Sequence, residues 1–213
     1  MARITKGILG GFSGKVGTIV GANWRGKDII RSTPKPSSRP PTGKQLQQQM
    51  KFKLVISFLQ PLKSIQTRYF GSASGVKSRL NMATSYTINE AVEVVADLPE
   101  LIFNKVLITK GDLAGFQNPV ATPQAAQVIQ LSWEDNSNQG NATATDKANA
   151  ICYCKELGTF EFFEVFADRN GLTATITLPS YYSGKDIQLW MYFTNIEEKL
   201  ACNSPYLGVI TVL

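Results

Sequence analysis

Two carboxylate pairs, three cysteines and one glycine-rich basic loop are the parts of this sequence whose residue types could do chemistry. Glu161 with Glu164, and Glu197 with Glu198, have the types needed for paired acid–base work. Nothing else in the sequence converges on them, so they read as solvated surface. Cys152 and Cys154 stand two apart in a strand-like stretch and point to one face. A disulfide between them would be badly strained. With Cys202 the count is odd, so the expectation is small buried residues and a reducing compartment. Gly10–Gly17 (GGFSGKVG) suggests a phosphate loop. Val16 follows Lys15 where a Ser or Thr would hold magnesium, and the glycine spacing is wrong. The glycines instead suit tight turns or close backbone packing. The sequence has no histidine. That removes the commonest general base and the commonest metal ligand, and with them Ser-His-Asp and Cys-His catalysis. No SxxK or GxSxG motif occurs. The expectation is a protein that is not an enzyme and carries no cofactor and no metal.

The elements that carry these residues are set by length and charge. The chain has 213 residues and a formal charge of +6, with 43% hydrophobic and 18% charged residues. That composition is globular, and the length suffices for a proper core. The charge is unevenly placed. Residues 1–68 hold thirteen Lys and Arg and a single acid, Asp28, whereas the remainder holds nine basic and fifteen acidic residues. Such a split points to a polyanion or acidic protein surface as partner of the basic end, or to head-to-tail self-association. No apolar run reaches the length of a signal peptide or a membrane span. The expected site of synthesis is the cytoplasm.

Seven of the 17 glycines lie in the first 26 residues. Lys15–Ala22 and Lys27–Ser32 read as strands joined by a turn from Asn23 to Gly26, a hairpin. Trp24 sits at that turn beside Arg25 and Lys27. Thr33–Pro41 is a proline-rich, basic, extended link. Thr42 then reads as an N-cap, with Gln45 at the capping-box position. Leu46, Met50, Leu54, Phe58 and Leu62 recur every four residues, which predicts an amphipathic helix from about 43 to 69 with one buried face. Pro61 kinks or splits it. A second helix is predicted over 79–95. From about residue 103 short strands alternate with turn chemistry. Candidates are Lys105–Thr109, Val128–Trp133, Asn149–Cys154, Phe160–Phe166, Thr173–Leu178, Asp186–Thr194 and Tyr206–Val212. Seven such strands predict an antiparallel β-sandwich of immunoglobulin or fibronectin type III kind, the latter favoured because no disulfide spacing is present. Trp133 and Trp190 are candidate core tryptophans. Tyr181 and Tyr182 stand where a corner tyrosine would, with packing as their expected role. The expected class is α+β. Residues 1–41 form a hairpin arm and linker, 42–102 a helical segment, and 103–213 the sandwich.

The run GILGGFSGKVGTIVGANWRGKDIIRSTPKPSSRPPTGKQLQQQMKFKLVISFL resembles the start of an uncharacterised Bacteroidota family of about 210 residues. MATSYTINEA, KVLITKGDLAG, LSWEDNSNQGNATATDKA and SPYLGVITV extend the resemblance over nearly the whole chain. The order of elements is also similar to small phage- and prophage-encoded structural proteins with a glycine-rich hairpin, a Pro-rich link, the NMATSY segment (81–86) and an immunoglobulin-like end. The resemblance implies no catalytic residues. It implies a structural protein of a virion or other assembled particle.

The expected function is therefore multi-copy assembly, with the basic arm docking on a neighbouring subunit or another particle protein. The residues expected to make that contact, or to meet a polyanion, are Lys15, Trp24, Arg25, Lys27, Arg31, Lys35 and Arg39. The alternative is nucleic-acid binding through residues 1–68, where cations neutralise phosphates and an aromatic stacks on a base. No recognised nucleic-acid module is present in the sequence.

Overall fold

A computed structural model describes residues 3–4, 10–24, 26–35, 39–72 and 77–213. They fall into two units, residues 1–43 and 44–213.

The first unit is an antiparallel sheet of strands β1 (Arg3–Ile4), β2 (Phe12–Val16), β3 (Ile19–Trp24) and β4 (Lys27–Ser32), hydrogen-bonded in that order. The expected strand Lys15–Ala22 is interrupted. Gly17, with φ of +57°, and Thr18 turn the chain between Val16 and its partner Ile19. Gly26, with φ of +77°, lies in the next turn, and its N–H donates to Asn23 Oδ1 at 3.1 Å.

The second unit opens with α1 (Gly43–Leu59) and α2 (Lys63–Tyr69). The helix predicted over 43–69 breaks at Pro61, which lacks the N–H that a continuous helix needs. The single buried face expected of it is confined to its later turns. Val55, Phe58 and Leu59 are buried, but Leu46 is 45% and Phe52 55% exposed, so the four-residue periodicity outruns the surface that covers it. Next come α3 (Arg79–Glu90) and a hairpin of β5 (Val92–Val95) and β6 (Leu98–Leu101). Ser78 caps α3, accepting from Asn81 N–H at 3.2 Å. The predicted second helix thus ends earlier, and its last residues are strand. Ala96 and Asp97 close the hairpin with φ of +48° and +63°. That is the left-handed pair a two-residue turn demands, here without glycine.

Seven strands complete the unit: β7 (Gln117–Gln124), β8 (Val128–Glu134), β9 (Lys147–Cys154), β10 (Thr159–Asp168), β11 (Thr173–Thr177), β12 (Asp186–Thr194) and β13 (Tyr206–Thr211). They form two antiparallel sheets, β11-β8-β7 and β10-β9-β12-β13. Six lie where the sequence predicts strands. The first does not. Lys105 ends a short 3-10 turn (Phe103–Lys105), and Val106–Thr109 runs outside any sheet, with the Ile108 N–H donating to Ser204 Oγ at 2.8 Å. The true first strand carries Pro119 and Pro123, which an edge strand tolerates because one side of it needs no ladder bonds. β10 pairs with β9, so the fourth strand of the sandwich belongs to the second sheet. Constant-type immunoglobulin domains keep that strand in the other sheet, so the order here is of the fibronectin kind.

Register shows a third layer. Ile187, Leu189, Met191 and Phe193 share one face of β12 with Ala148, Ala150, Cys152 and Cys154 of β9. This face looks towards the three-stranded sheet, where Trp133 meets Phe193 edge-on at 6.1 Å. The opposite face carries Tyr153 and Tyr192, which meet Phe58 and Tyr69 from the helical segment, and Trp190, which meets Phe103 in the short 3-10 turn that follows it. Residues 44–102 and the sandwich therefore share one core. Both candidate tryptophans are buried, but Trp190 faces the helices and only Trp133 lies between the sheets.

Candidate assembly surface

In the first unit, register decides which side chains share a face. Lys15, Val20 and Arg31 lie in one row across β2, β3 and β4. Ala22 stands opposite Ile29, and Trp24 opposite Lys27, with side chains on the same face because each is an even number of residues from Val20 or Arg31. This face therefore carries Lys15, Trp24, Lys27 and Arg31 around an apolar centre of Val20, Ala22 and Ile29. The other face carries Phe12, Val16, Ile19 and Ile30, with glycines at 14 and 21. A Cβ on Gly21 would lie 2.6 Å from the Phe12 ring, so the ring needs glycine beneath it. Four of the seven residues expected at the contact are thus brought together. Lys35 and Arg39 lie in the link beyond the sheet, and Arg25 is outside the described residues.

No described hydrophobic side chain of this unit is buried. Val16 is 50%, Trp24 55% and Ile30 67% exposed. A sheet holds its shape by covering at least one apolar face, so this one is incomplete by itself.

The candidate carboxylate pairs do not act as pairs. Glu161 accepts from Tyr181 Oη at 2.6 Å and Tyr182 Oη at 3.3 Å. Glu164, three residues on, has no such contact with it. Glu197 pairs with Lys199 at 2.7 Å and Glu198 with Arg68 at 2.6 Å. Glu164 and Glu198 border one small cleft with Arg68, Tyr69 and Tyr192, of about 80 Å³. That holds a few waters, well short of an ordinary ligand pocket. A neighbouring hollow of about 320 Å³ is bordered by Arg68, Arg79, Lys110 and Lys199. Arg68 and Lys199 are the ion-paired residues just named, Arg79 Nη1 donates to the Arg68 carbonyl, and Lys110 lies over the Tyr86 ring. Among the described residues no group of three or more Cys, Asp or Glu could hold a metal ion. No described helix is long and apolar enough to cross a membrane.

Cys152, Cys154 and Cys202 are free and buried. Burial pushes the Cys202 thiol up to about 12 and the Tyr182 phenol up to about 12. It also raises Cys152 and Tyr192. Tyr182 is the buried one of the tyrosine pair, but its hydroxyl meets Thr159 Oγ1 at 2.9 Å rather than nearby backbone, so it packs and is no tyrosine corner. These groups are neutral in the fold and ionise first in the unfolded chain, from about pH 9 for thiols and 10 for phenols. Stability is therefore complete below about pH 9 and falls as pH climbs towards 12. Urea midpoints measured at about pH 7, 9, 10 and 11 should hold over the first interval and then drop. A midpoint unchanged to about pH 11 would contradict this burial.

The sequence signals miss one built feature. Arg169, legible in the sequence only as part of a DRNG turn, is fully buried. Its Nε donates to Asp146 Oδ2 at 3.0 Å, and its Nη atoms reach the carbonyls of Ala114 and Gly115 and Oδ1 of Asn136. It ties three loops at one end of the sandwich, a structural role that no local spacing announces.

A comparison with curated proteins finds no match. Among solved structures, the chain is similar to the fn3 domain of the human collagen alpha-1(XX) chain, at 10% identity and a TM-score of 0.34, covering 46% of this chain and 84% of that one. It is also similar to the FN5 domain of Drosophila Lar, at 13% identity and a TM-score of 0.32, covering 48% of this chain and 96% of that one. A family model matches residues 11–208, which take in most of the first sheet, the helices and nearly all of the sandwich, and the chain belongs to that family, DUF6266, a family of unknown function.

Proposed function

We propose that the protein is a non-enzymatic structural component that assembles in many copies, as in a phage virion or comparable particle, and that its N-terminal sheet docks on a neighbouring subunit. The observation that carries this reading is the first unit itself: four paired strands without one buried hydrophobic side chain among the described residues. Its exposed apolar residues gain stability only when something covers them. The nine-residue link 33–41 can extend to at most about 32 Å, enough to carry the sheet to a neighbour. The opposite charge of the two ends supports a head-to-tail contact, which builds rings or filaments.

A second reading is nucleic-acid binding, favoured by Lys15, Lys27, Arg31 and Trp24 on one face. Sedimentation and electron microscopy of the full chain and of residues 42–213 separate the two. The full chain should form multi-copy species and the truncated chain a monomer. Two monomers would overturn the assembly reading. Saturable DNA or RNA binding that weakens steeply between low and physiological salt would favour the second reading.

A further inference from the structure

The β5–β6 hairpin has a face that its own unit does not explain. Register sets Glu93 directly opposite Glu100, and Val95 opposite Leu98. Like charges directly opposite are destabilising. Neither glutamate has an ion pair among the described residues. Val95 is 47% and Leu98 60% exposed on the same face. Val92 and Leu101 turn the other way and pack on the core. The hairpin thus presents two carboxylates beside two uncovered apolar side chains.

The basic face of the N-terminal sheet is its chemical complement. Lys15 and Arg31 flank Val20 at roughly 10 Å from each other, two strand spacings apart. Ala22 and Ile29 continue the apolar centre, and Trp24 and Lys27 close it. An apolar centre with charged residues around it is how protein interfaces are built. A nucleic acid would meet the cations chiefly with its phosphates, whereas the aliphatic Val20, Ala22 and Ile29 between them match the apolar centre of a protein interface.

We propose that the Lys15, Lys27 and Arg31 face of one copy docks on the Glu93, Glu100, Val95 and Leu98 face of the β5–β6 hairpin of a second copy. This rests on the assembly reading and names its receiving surface. Because donor and acceptor patches differ, the contact is heterologous, and each copy both gives and receives.

The test uses full-length chains with charge reversed at one patch at a time, followed by sedimentation velocity across protein concentration. Glu93→Lys with Glu100→Lys, and separately Lys15→Glu with Lys27→Glu and Arg31→Glu, should each weaken assembly by about 100-fold or more, because like charges then face each other. Mixing the two reversed proteins should restore it, since the basic sheet of one meets the acidic hairpin of the other. A chain with both patches reversed should also assemble. Glu93→Gln with Glu100→Gln keeps the hairpin free of new charge, and an intermediate loss there confirms that the carboxylates, not misfolding, are read. Wild-type assembly that survives hairpin reversal, or two losses that neither mixing nor double reversal repairs, would overturn this surface while leaving assembly standing. A wild type that stays monomeric at every concentration would overturn both. Loss of a saturable DNA shift on reversing the basic face, with assembly intact, would overturn the protein contact in favour of a polyanion.

Discussion

Replacing Arg169 with Met should cost about 3–5 kcal/mol, a large share of the stability of an ordinary domain. The side chain has no exposure, and its partner Asp146 is 1% exposed. Nη2 of the guanidinium lies 2.9 Å from Asp146 Oδ2, and its central carbon lies 3.9 Å from the centre of the Phe193 ring. Asp146 also accepts from the Thr143 N–H and hydroxyl at 2.9 and 2.7 Å, which holds the carboxylate in place. Methionine would fill much of the volume. It would leave a buried carboxylate without its counter-ion and three further acceptors, on Ala114, Gly115 and Asn136, without donors. Each orphaned acceptor adds to the loss. The urea midpoint should fall by about 2 M for a slope near 2 kcal/mol/M. Arg169→Lys should lie between, since an ammonium keeps the charge but cannot satisfy acceptors in the plane of a guanidinium fork. A methionine variant within about 1 kcal/mol of the parent would show that the three loops hold without this pin.

Most of the sandwich is legible in the sequence because its strands announce themselves by β-branched and aromatic runs between turn residues. The misses have particular causes. QNPVATPQ hides β7 because two prolines speak against a strand, and only an edge position makes them harmless. Lys105–Thr109 has strand composition but spends its backbone hydrogen bonds on Ser204 and the Phe103 carbonyl, not on a ladder. The third layer has a signal of its own in β12. IQLWMYFT is apolar almost without alternation, and that pattern marks a strand covered on both faces. At the candidate surface, the glycines and cations of the first unit are visible in the sequence. Their distribution between two faces is not, because it depends on where the turn falls. A turn at Gly17–Thr18 fixes Lys15 beside Val20, whose other neighbour across β4 is Arg31. The uncovered Glu93–Glu100 pair is hidden for a similar reason, since a helix drawn through Val95 never sets the two opposite each other.

Replacing Phe58 with Ala tests whether the helical segment and the sandwich are one cooperative body. Phe58 is 5% exposed at the end of α1. Its ring meets Tyr153 and Phe160 at 5.2 Å each and Phe103 at 6.1 Å. Truncating a buried phenylalanine costs about 3–5 kcal/mol, the forfeited transfer energy plus the cavity left behind. The ring-to-ring attraction that disappears with it, about 0.5–1.5 kcal/mol for each well-placed pair, sets the loss towards the upper part of that range. Because Tyr153 and Phe160 belong to β9 and β10, that loss should fall on the sandwich as well as on the helix. Two probes read the two layers. Helical circular dichroism follows α1 to α3. Tryptophan fluorescence, in a Trp24→Phe background, follows Trp133 between the sheets and Trp190 against the helices. Both should move to lower urea together and keep one midpoint, as a single two-state unit requires. A helix signal that shifts while the fluorescence transition stays put would mean that the sandwich stands without its helical layer. In that case the near-continuous apolar run of β12 would have to be covered by something other than residues 44–102.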